Sequence, residues 1–218
     1  MAVEKFRKHP ECGRTMHFLE LDSVEDWPEK IALGKSRHFV LFLALGGEEL
    51  DEDEIAALAR RCFEQGMVYL SVWGDASERV HDIFEEAAAE HDPDADADTV
   101  LLSEWHDEEP LSQAVLYAVS SAYPAAAYEK TCGATLVVVV GNPDAADQVR
   151  GWLKAPSRLA AAAEDREDAL GRVAAGDDDE DEEEEDLDED EEDDEDGDED
   201  EDEELDEDED EGGEDDED

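Results

Sequence analysis

The residue types with the greatest chemical potential are concentrated in residues 99–110, which read TVLLSEWHDEEP. Glu104, His106 and Asp107 follow an apolar run in this segment, and Asp75 follows an earlier apolar run. An imidazole that is oriented by a carboxylate is a common general base. Neighbouring carboxylates are the oxygen ligands that Mg²⁺ and similar hard cations prefer. These four residues are therefore the candidate catalytic residues, and the acids Asp75, Glu104 and Asp107 are the candidate metal ligands.

The same acidic residues also have an ordinary structural interpretation. Acids that follow a strand commonly lie in solvated loops, and acids near a helix N-terminus interact favourably with the helix dipole. Pro110 is well placed for the first turn of such a helix. A site at the strand ends and a polar helix start both stay open at this point.

No phosphate-binding loop supports a nucleotide site. The chain contains neither G-x-G-x-x-G nor G-x-x-x-x-G-K-[ST]. Gly46-Gly47 ends an apolar run, but Glu48-Glu49 follows it, and these charges would repel a phosphate. The sequence therefore predicts no cofactor, with Mg²⁺ or a similar divalent cation as the alternative.

Aromatic residues near these acids provide a second kind of candidate site. Trp73 and Trp105 each lie at the end of a predicted strand, and Tyr117 lies on the predicted helix that follows. Aromatic side chains in such positions either close the hydrophobic core or line a groove for a ligand or partner. Trp73, Trp105 and Tyr117 are therefore the candidate binding residues.

The charge of the chain is distributed very unevenly. Residues 176–218 contain 37 of the 72 acidic residues and no Lys or Arg, which leaves 35 acids against all 16 basic residues in residues 1–175. The net charge is therefore −37 in the C-terminal segment and −19 in the rest of the chain. The segment has almost no apolar surface to bury and repels itself, so the sequence predicts a disordered acidic tail. Such a polyanion favours basic protein partners and disfavours direct nucleic-acid binding.

Cysteine usage and hydropathy indicate a cytoplasmic protein. Cys12, Cys62 and Cys132 are odd in number and widely spaced, which argues against a disulfide framework or a zinc site. The N-terminal residues contain no apolar run of the kind found in a signal peptide. No stretch reaches the roughly 18 consecutive apolar residues that a membrane-spanning helix needs. We therefore expect a cytoplasmic protein that does not contact a membrane.

Apolar periodicity predicts strands that alternate with helices. Continuous apolar runs, which indicate strands covered on both faces, occur at 39–45, 67–73, 100–102 and 135–140. Amphipathic stripes predict helices at 51–65, 77–90, 111–123, 143–155 and 157–175. This alternation implies parallel βαβ units, and hence an α/β fold: a three-layer sandwich with a four-stranded, mainly parallel sheet in the order 2-1-3-4. Residues 15–21 are a candidate for an additional antiparallel edge strand.

Changes in charge and periodicity divide the chain into four parts. Residues 1–36 form an N-terminal arm, 37–155 an α/β domain, 156–175 a helical linker and 176–218 the disordered polyacidic tail. Seven of the 16 basic residues lie within the first 37 residues. The arm is therefore either an ordinary surface segment or a segment that docks on the acidic body or tail.

Three motifs in the sequence resemble a known family. They are WHDEEPL at residues 105–111, the helix end Ala122-Tyr123-Pro124, and VVVVGNP at residues 137–143. Through these motifs, the region from about His38 to Leu153 is similar to a family of small uncharacterised bacterial α/β (Rossmann-like) domains of unknown function. The resemblance implies an α/β fold for this region and no residue roles.

The sequence supports two functional hypotheses. The first is a non-enzymatic protein-interaction module that presents an aromatic and acidic edge, with the acidic tail engaging basic partners. The second is a metal-dependent hydrolase or nucleotide-processing enzyme with an acidic site at the carboxyl ends of the strands, where open parallel sheets bind ligands. The positions of Asp75, Glu104 and Asp107 distinguish the two, because a metal site requires their carboxylates to converge within about 5 Å.

Overall fold

A computed structural model describes residues 2–45 and 51–164 of the 218-residue chain. The predicted tail at 176–218, the end of the predicted linker helix and the segment 46–49 lie outside the described residues. The strands are β1 (Glu4–Lys8), β2 (Thr15–Leu21), β3 (His38–Leu45), β4 (Met67–Trp73), β5 (Leu102–His106) and β6 (Cys132–Val140). The helices are α1 (Glu52–Glu64), α2 (Ser77–His91), α3 (Leu111–Ser120), α4 (Pro143–Lys154) and a further helix, α5, at residues 156–164.

The six described strands form one sheet in the order β1-β2-β6-β3-β4-β5. β1 is antiparallel to β2, and every other neighbouring pair is parallel. The α/β class and the mainly parallel sheet are therefore confirmed, but the predicted count of four strands is too small. The predicted order 2-1-3-4 is also wrong, because the four predicted strands lie in the order β6-β3-β4-β5. The third of them is at the edge of the sheet and does not touch the first.

Two strands occupy positions that differ from the sequence-based prediction. β2 is not an antiparallel edge strand, because it pairs in parallel with β6 while β1 takes the antiparallel edge. β5 is not a buried central strand at 100–102. It begins at Leu102 and forms the opposite edge, and Val100 and Leu102 are 39% and 38% exposed. A three-residue apolar run is too short to distinguish a buried strand from the exposed approach to an edge strand.

Helices cover both faces of the sheet and complete the predicted three-layer sandwich. On one face α1 and α2 pack against Leu41 and Leu43 of β3. On the other face α3, α4 and α5 pack against Phe42 and Ala44 of the same strand. Both faces of β3 are therefore covered by apolar layers, which is why its sequence is continuously apolar instead of alternating. None of the described helices is long and apolar enough to cross a membrane.

Local side-chain caps define where the helices begin. The Asp51 carboxylate accepts a hydrogen bond from the Asp53 N–H at the start of α1. The Asn142 side chain accepts one from the Ala145 N–H at the start of α4. Each cap satisfies a backbone donor that has no partner within its helix. Pro110 takes the capping position of α3, directly before the first helical residue.

Arg14 joins the N-terminal residues to the end of α3 and to β6 through hydrogen bonds. Its side chain is 4% exposed, and its guanidinium donates to the carbonyls of Ala118 and Ala122 at 3.2 and 2.5 Å. A third bond joins Arg14 Nε to Thr135 Oγ1 of β6 at 3.0 Å. The carbonyls at a helix C-terminus carry partial negative charge, so the end of α3 stabilises the buried cation. The predicted arm therefore contributes β1 and β2 to the sheet, and Arg14 adds hydrogen bonds to the end of α3 and to β6.

Candidate functional site

Strand β5 distributes the candidate residues over the two faces of the sheet. Successive side chains of a strand point to opposite faces, so Glu104 and His106 face α3, whereas Trp105 faces α2. Trp73 packs with the α3 layer, as does Tyr117. The three candidate binding residues therefore do not line one groove, because Trp105 lies on the opposite face of the sheet from the other two.

His106 is buried at the centre of a chain of hydrogen bonds. Its side chain is 5% exposed. Nε2 of the ring lies 3.0 Å from Ser71 Oγ on β4, and Nδ1 is hydrogen-bonded to the Glu109 carboxylate. The indole Nε1 of Trp73 donates to the Glu109 carbonyl at 2.8 Å. These bonds hold the turn after β5 against the sheet, and they join Ser71 and Trp73 of β4 to residues that are more than 30 positions away in the sequence.

The chain Ser71–His106–Glu109 has the atom order of a serine-hydrolase triad, with the hydroxyl on Nε2 and the carboxylate on Nδ1. Ser71, however, has no exposed surface and lies within β4, away from any tight turn. A substrate carbonyl cannot reach a hydroxyl that is covered on every side. The three residues therefore form a polar network in which Ser71 and His106 are buried and Glu109 is exposed to solvent.

Glu104 is held by two tyrosines. The hydroxyls of Tyr69 and Tyr117 both donate to its Oε2 atom, that of Tyr69 at 3.2 Å, and the two hydroxyls lie 3.0 Å apart. Burial raises the pKa of Tyr69 above its ordinary value, and the adjacent Tyr117 hydroxyl and Glu104 carboxylate raise it further. Burial and the hydrogen bond to Glu104 also raise the pKa of Tyr117. Both phenols are therefore protonated at neutral pH and donate to the carboxylate.

The three predicted metal ligands are not brought together. Asp75 is exposed after the end of β4, and Glu104 is bonded to the tyrosines. Asp107 is exposed and accepts a hydrogen bond from the Glu108 N–H at 2.9 Å. Within residues 2–45 and 51–164, these acids do not form a group of three with ligand atoms close enough to share an ion. Glu104 is bonded to side chains of β4 and α3, whereas Asp107 is bonded to the backbone of its own turn.

A different set of side chains on α2 has the spacing of a cation site. One ligand atom from each of His81, Asp82 and Glu85 lies within 4.8 Å of the other two. The i, i+1, i+4 arrangement in HDIFE is a signal that inspection of the sequence could have found. The two ring nitrogens of His81, however, already face Asp82 at 3.3 Å and Glu85 at 3.4 Å. The same ring contacts the indole of Trp105 at a centroid distance of 4.7 Å, so the cluster orients this tryptophan.

Exposed apolar side chains are concentrated beside β5. The large apolar residues that are exposed in the described part of the chain are Val100, Leu102, Trp105 and Tyr123. The first three lie on β5 or directly before it, and we call them the β5 edge surface. Sequence reasoning identifies Trp105 but misses Val100 and Leu102, because their apolar character alone indicates burial.

Comparison with known proteins identifies a family without assigning it an activity. No curated protein matches the chain, and no solved structure matches it either. A family model described as a domain of unknown function, DUF7684, matches residues 16–156. The match begins within β2, extends past the end of α4 and covers more than half of the chain. The chain therefore belongs to the DUF7684 family of domains of unknown function.

Proposed function

We propose that this chain is a non-enzymatic protein-interaction module that binds its partner along the β5 edge surface. The observation that carries the proposal is the position of Val100, Leu102 and Trp105, which are exposed apolar residues on or next to an edge strand. Natural proteins usually blunt such edges with charge or cover them, since an open strand edge is a template for pairing. An exposed tryptophan on an edge strand is a strong candidate for an interface anchor.

Strand addition is the binding mode that this geometry favours. β5 pairs with β4 on one side and has no strand on its other side within the described residues. An extended segment of a partner can therefore continue the sheet through backbone hydrogen bonds. Its side chains on one face of the sheet then meet Trp105, and those on the other face meet Leu102, which shares the face of Glu104 and His106. Trp105 is already oriented by His81, so little side-chain entropy is lost when a partner binds.

Charge favours a basic partner over a second copy of the chain. Exposed acids on or beside the strand surround the edge surface, namely Asp82, Glu85, Glu104, Asp107 and Glu108. Residues 1–175 carry a net charge of −19, and residues 176–218 add −37, so two copies repel one another. We propose that the acidic tail attracts the same basic partner. We also propose that the protein is cytoplasmic, as its sequence indicates. We propose further that its relatives are bacterial Rossmann-like domains, as the resemblance implies.

The test uses a defined ligand, an extended peptide that alternates valine and lysine. We expect the backbone amide signals of β5 to shift when this peptide is titrated into the full chain and followed by NMR. Trp105→Ser is expected to weaken binding by about tenfold or more, because it removes the central aromatic anchor. A chain that ends at residue 175 is expected to bind the peptide more weakly at low salt only, since tail attraction is screened.

Tyr123→Ser provides the matched control, because Tyr123 is the exposed aromatic residue that lies away from β5 and is 58% exposed. This variant should retain wild-type affinity. Equal weakening by Trp105→Ser and Tyr123→Ser, or peptide-induced shifts that avoid β5, would contradict the proposed docking surface.

A further inference from the structure

A cavity of about 740 Å³ lies at the end of the sheet opposite the carboxyl ends of the parallel strands. Its walls come from the amino ends of β3 and β4, the C-terminal ends of α1 and α2, and the loop that precedes β5. Cavities of this size bind small organic molecules in many proteins. The cavity shares Val100 with the β5 edge surface, and the proposed function does not account for it.

Aromatic rings form much of the cavity wall. Phe63 stacks on His91 with the ring centroids 5.3 Å apart, and His38 meets Tyr128 edge to face at 4.9 Å. Met67 adds a flexible apolar side chain to this lining. The faces of Phe and Tyr rings carry partial negative charge and attract cations. The wall therefore suits a ligand with an apolar body and a positive group.

The neutral histidine in the wall presents a hydrogen-bond acceptor. Thr131 Oγ1 donates its single proton to the Tyr128 carbonyl at 3.1 Å, so it accepts the 2.7 Å hydrogen bond from His38 Nδ1. Burial lowers the pKa of His38, which keeps its ring neutral at pH 7. With the proton on Nδ1, the unprotonated Nε2 atom is a hydrogen-bond acceptor.

The charged side chains of the cavity have one sign. Glu85 and Asp92 contribute carboxylates, and none of the described residues that line the cavity is Lys or Arg. Both acids are exposed to solvent, which places their charge where an entering ligand meets it. An anionic ligand would find no Lys or Arg here, whereas an ammonium group would find the carboxylates of Asp92 and of Glu85, which also accepts a hydrogen bond from Ser103.

We propose that this cavity is a binding site for a small organic ammonium compound with an aromatic or branched apolar body. The apolar body lies against Phe63, Met67 and Tyr128, and the ammonium group is directed to the carboxylates of Glu85 and Asp92. The proposal does not rest on strand addition at β5, because Phe63, Met67, Tyr128 and Asp92 lie outside the β5 edge surface. Val100 and Glu85 adjoin both regions.

The test compares three phenyl compounds of related size and one smaller cation in the full chain at about pH 8, where ordinary imidazoles are uncharged. They are 2-phenylethylammonium, the anion 3-phenylpropionate, neutral 2-phenylethanol, and ethylammonium, which has the charge without the ring. We expect 2-phenylethylammonium alone to shift the methyl NMR signals of Met67, Val68, Val100 and Leu101 in a saturable way. Ethylammonium reports any unspecific attraction of cations to the acidic segments.

Two variants locate the site. Ala88→Phe, which fills the cavity, should abolish the saturable shifts, whereas Ala161→Phe at an exposed position of α5 should not. The double variant Glu85→Gln and Asp92→Asn should weaken binding about fivefold. Its control, the double variant of the exposed acids Glu25→Gln and Asp26→Asn, removes the same charge elsewhere and should leave affinity unchanged.

Three outcomes would overturn the proposal. The first is equal binding of 3-phenylpropionate or 2-phenylethanol, since the site would then not select for positive charge. The second is unchanged binding in Ala88→Phe, which would place the ligand outside the cavity. The third is the absence of any methyl shift with 2-phenylethylammonium up to its solubility limit.

Discussion

The hydroxyl of Ser71 lies 3.0 Å from Nε2 of His106, and both side chains are buried. Because Glu109 bonds to the other ring nitrogen, the imidazole has a partner on each side. Ser71→Ala would leave Nε2 of a buried ring without a partner, which costs about 1–3 kcal/mol. We therefore expect this variant to lower the free energy of unfolding by about 2 kcal/mol in urea denaturation.

Ser103 on the neighbouring strand supplies the control for Ser71. Its hydroxyl donates to the exposed Glu85 carboxylate at 2.9 Å, where water can replace it. Ser103→Ala should change the free energy of unfolding by less than about 0.5 kcal/mol. If the two serine variants were equally stable, the buried network would contribute nothing to the fold.

Arg14 is expected to be among the most sensitive positions of the N-terminal arm. Arg14→Met removes the buried guanidinium together with its three hydrogen bonds, and it leaves the carbonyls of Ala118 and Ala122 without this donor. We expect a loss of about 3 kcal/mol in the free energy of unfolding, measured by chemical denaturation. Arg14→Lys should recover only part of this loss, because an ammonium group cannot span the three acceptors.

The exposed arginine Arg60 provides the comparison for Arg14. Its guanidinium lies 3.5 Å from Glu90, and both side chains are more than half exposed. Arg60→Met should cost no more than about 0.5 kcal/mol, because exposed ion pairs contribute little. A loss for Arg14→Met as small as this would show that the arm is not held by the end of α3.

His17 makes the stability of the fold dependent on pH. The residue is 2% exposed on β2, and neither ring nitrogen has a hydrogen-bond partner among the described residues. Burial lowers the pKa of His17, and the charge of Lys5 lowers it further. The unfolded chain therefore takes up a proton here at a higher pH than the folded chain. Stability contributed by this residue is present above the ordinary histidine pKa of about 6.5 and is lost as the pH falls below it.

His17→Leu is expected to remove the contribution of His17 to this dependence, while His9 and His38, whose pKa values burial also lowers, keep theirs. At about pH 8 the variant should be more stable than the parent by about 1 kcal/mol, because an unpaired buried ring is replaced by an apolar side chain. The advantage should grow as the pH is lowered towards about 5. Melting temperatures across this range provide the measurement, and a difference that is independent of pH would contradict the assigned role of His17.

The two tyrosines that bind Glu104 are expected to ionise at a higher pH than ordinary tyrosines. Because the pKa values of Tyr69 and Tyr117 are raised, the unfolded chain releases these protons before the folded chain does. Their contribution to stability is therefore present below the ordinary tyrosine pKa of about 10 and is lost as the pH rises above it. Absorbance of the phenolate band during alkaline titration should show two of the four tyrosines ionising above the ordinary range.

Glu104→Gln tests the part that the carboxylate plays. Removing its negative charge should lower the pKa of both Tyr69 and Tyr117, while burial keeps them above the ordinary value. Tyr123→Phe, which removes an exposed phenol, should leave the late-ionising pair unchanged. An unaltered titration of Glu104→Gln would show that the carboxylate does not hold the two hydroxyls.

Local patterns in the sequence were sufficient to predict the elements that depend on nearby residues. The apolar runs of β3, β4 and β6 are long enough to indicate strands buried on both faces. The starts of α1 and α4 follow from Asp51 and Asn142, because a capping side chain bonds to an N–H only two or three residues away. The α/β class and the division of charge also follow from composition and periodicity alone.

Only the tertiary structure decided the order of the strands and the environment of the candidate residues. A βαβ crossover can place its second strand on either side of the first, and a short apolar run is compatible with both positions. The edge position of β5 exposes Leu102 and Trp105, while Ser71 from β4 makes the burial of His106 possible. Arg14 is buried for the same kind of reason, since its partners are more than 100 residues away in the chain. Such contacts join distant segments, and patterns within a short window of sequence do not contain them.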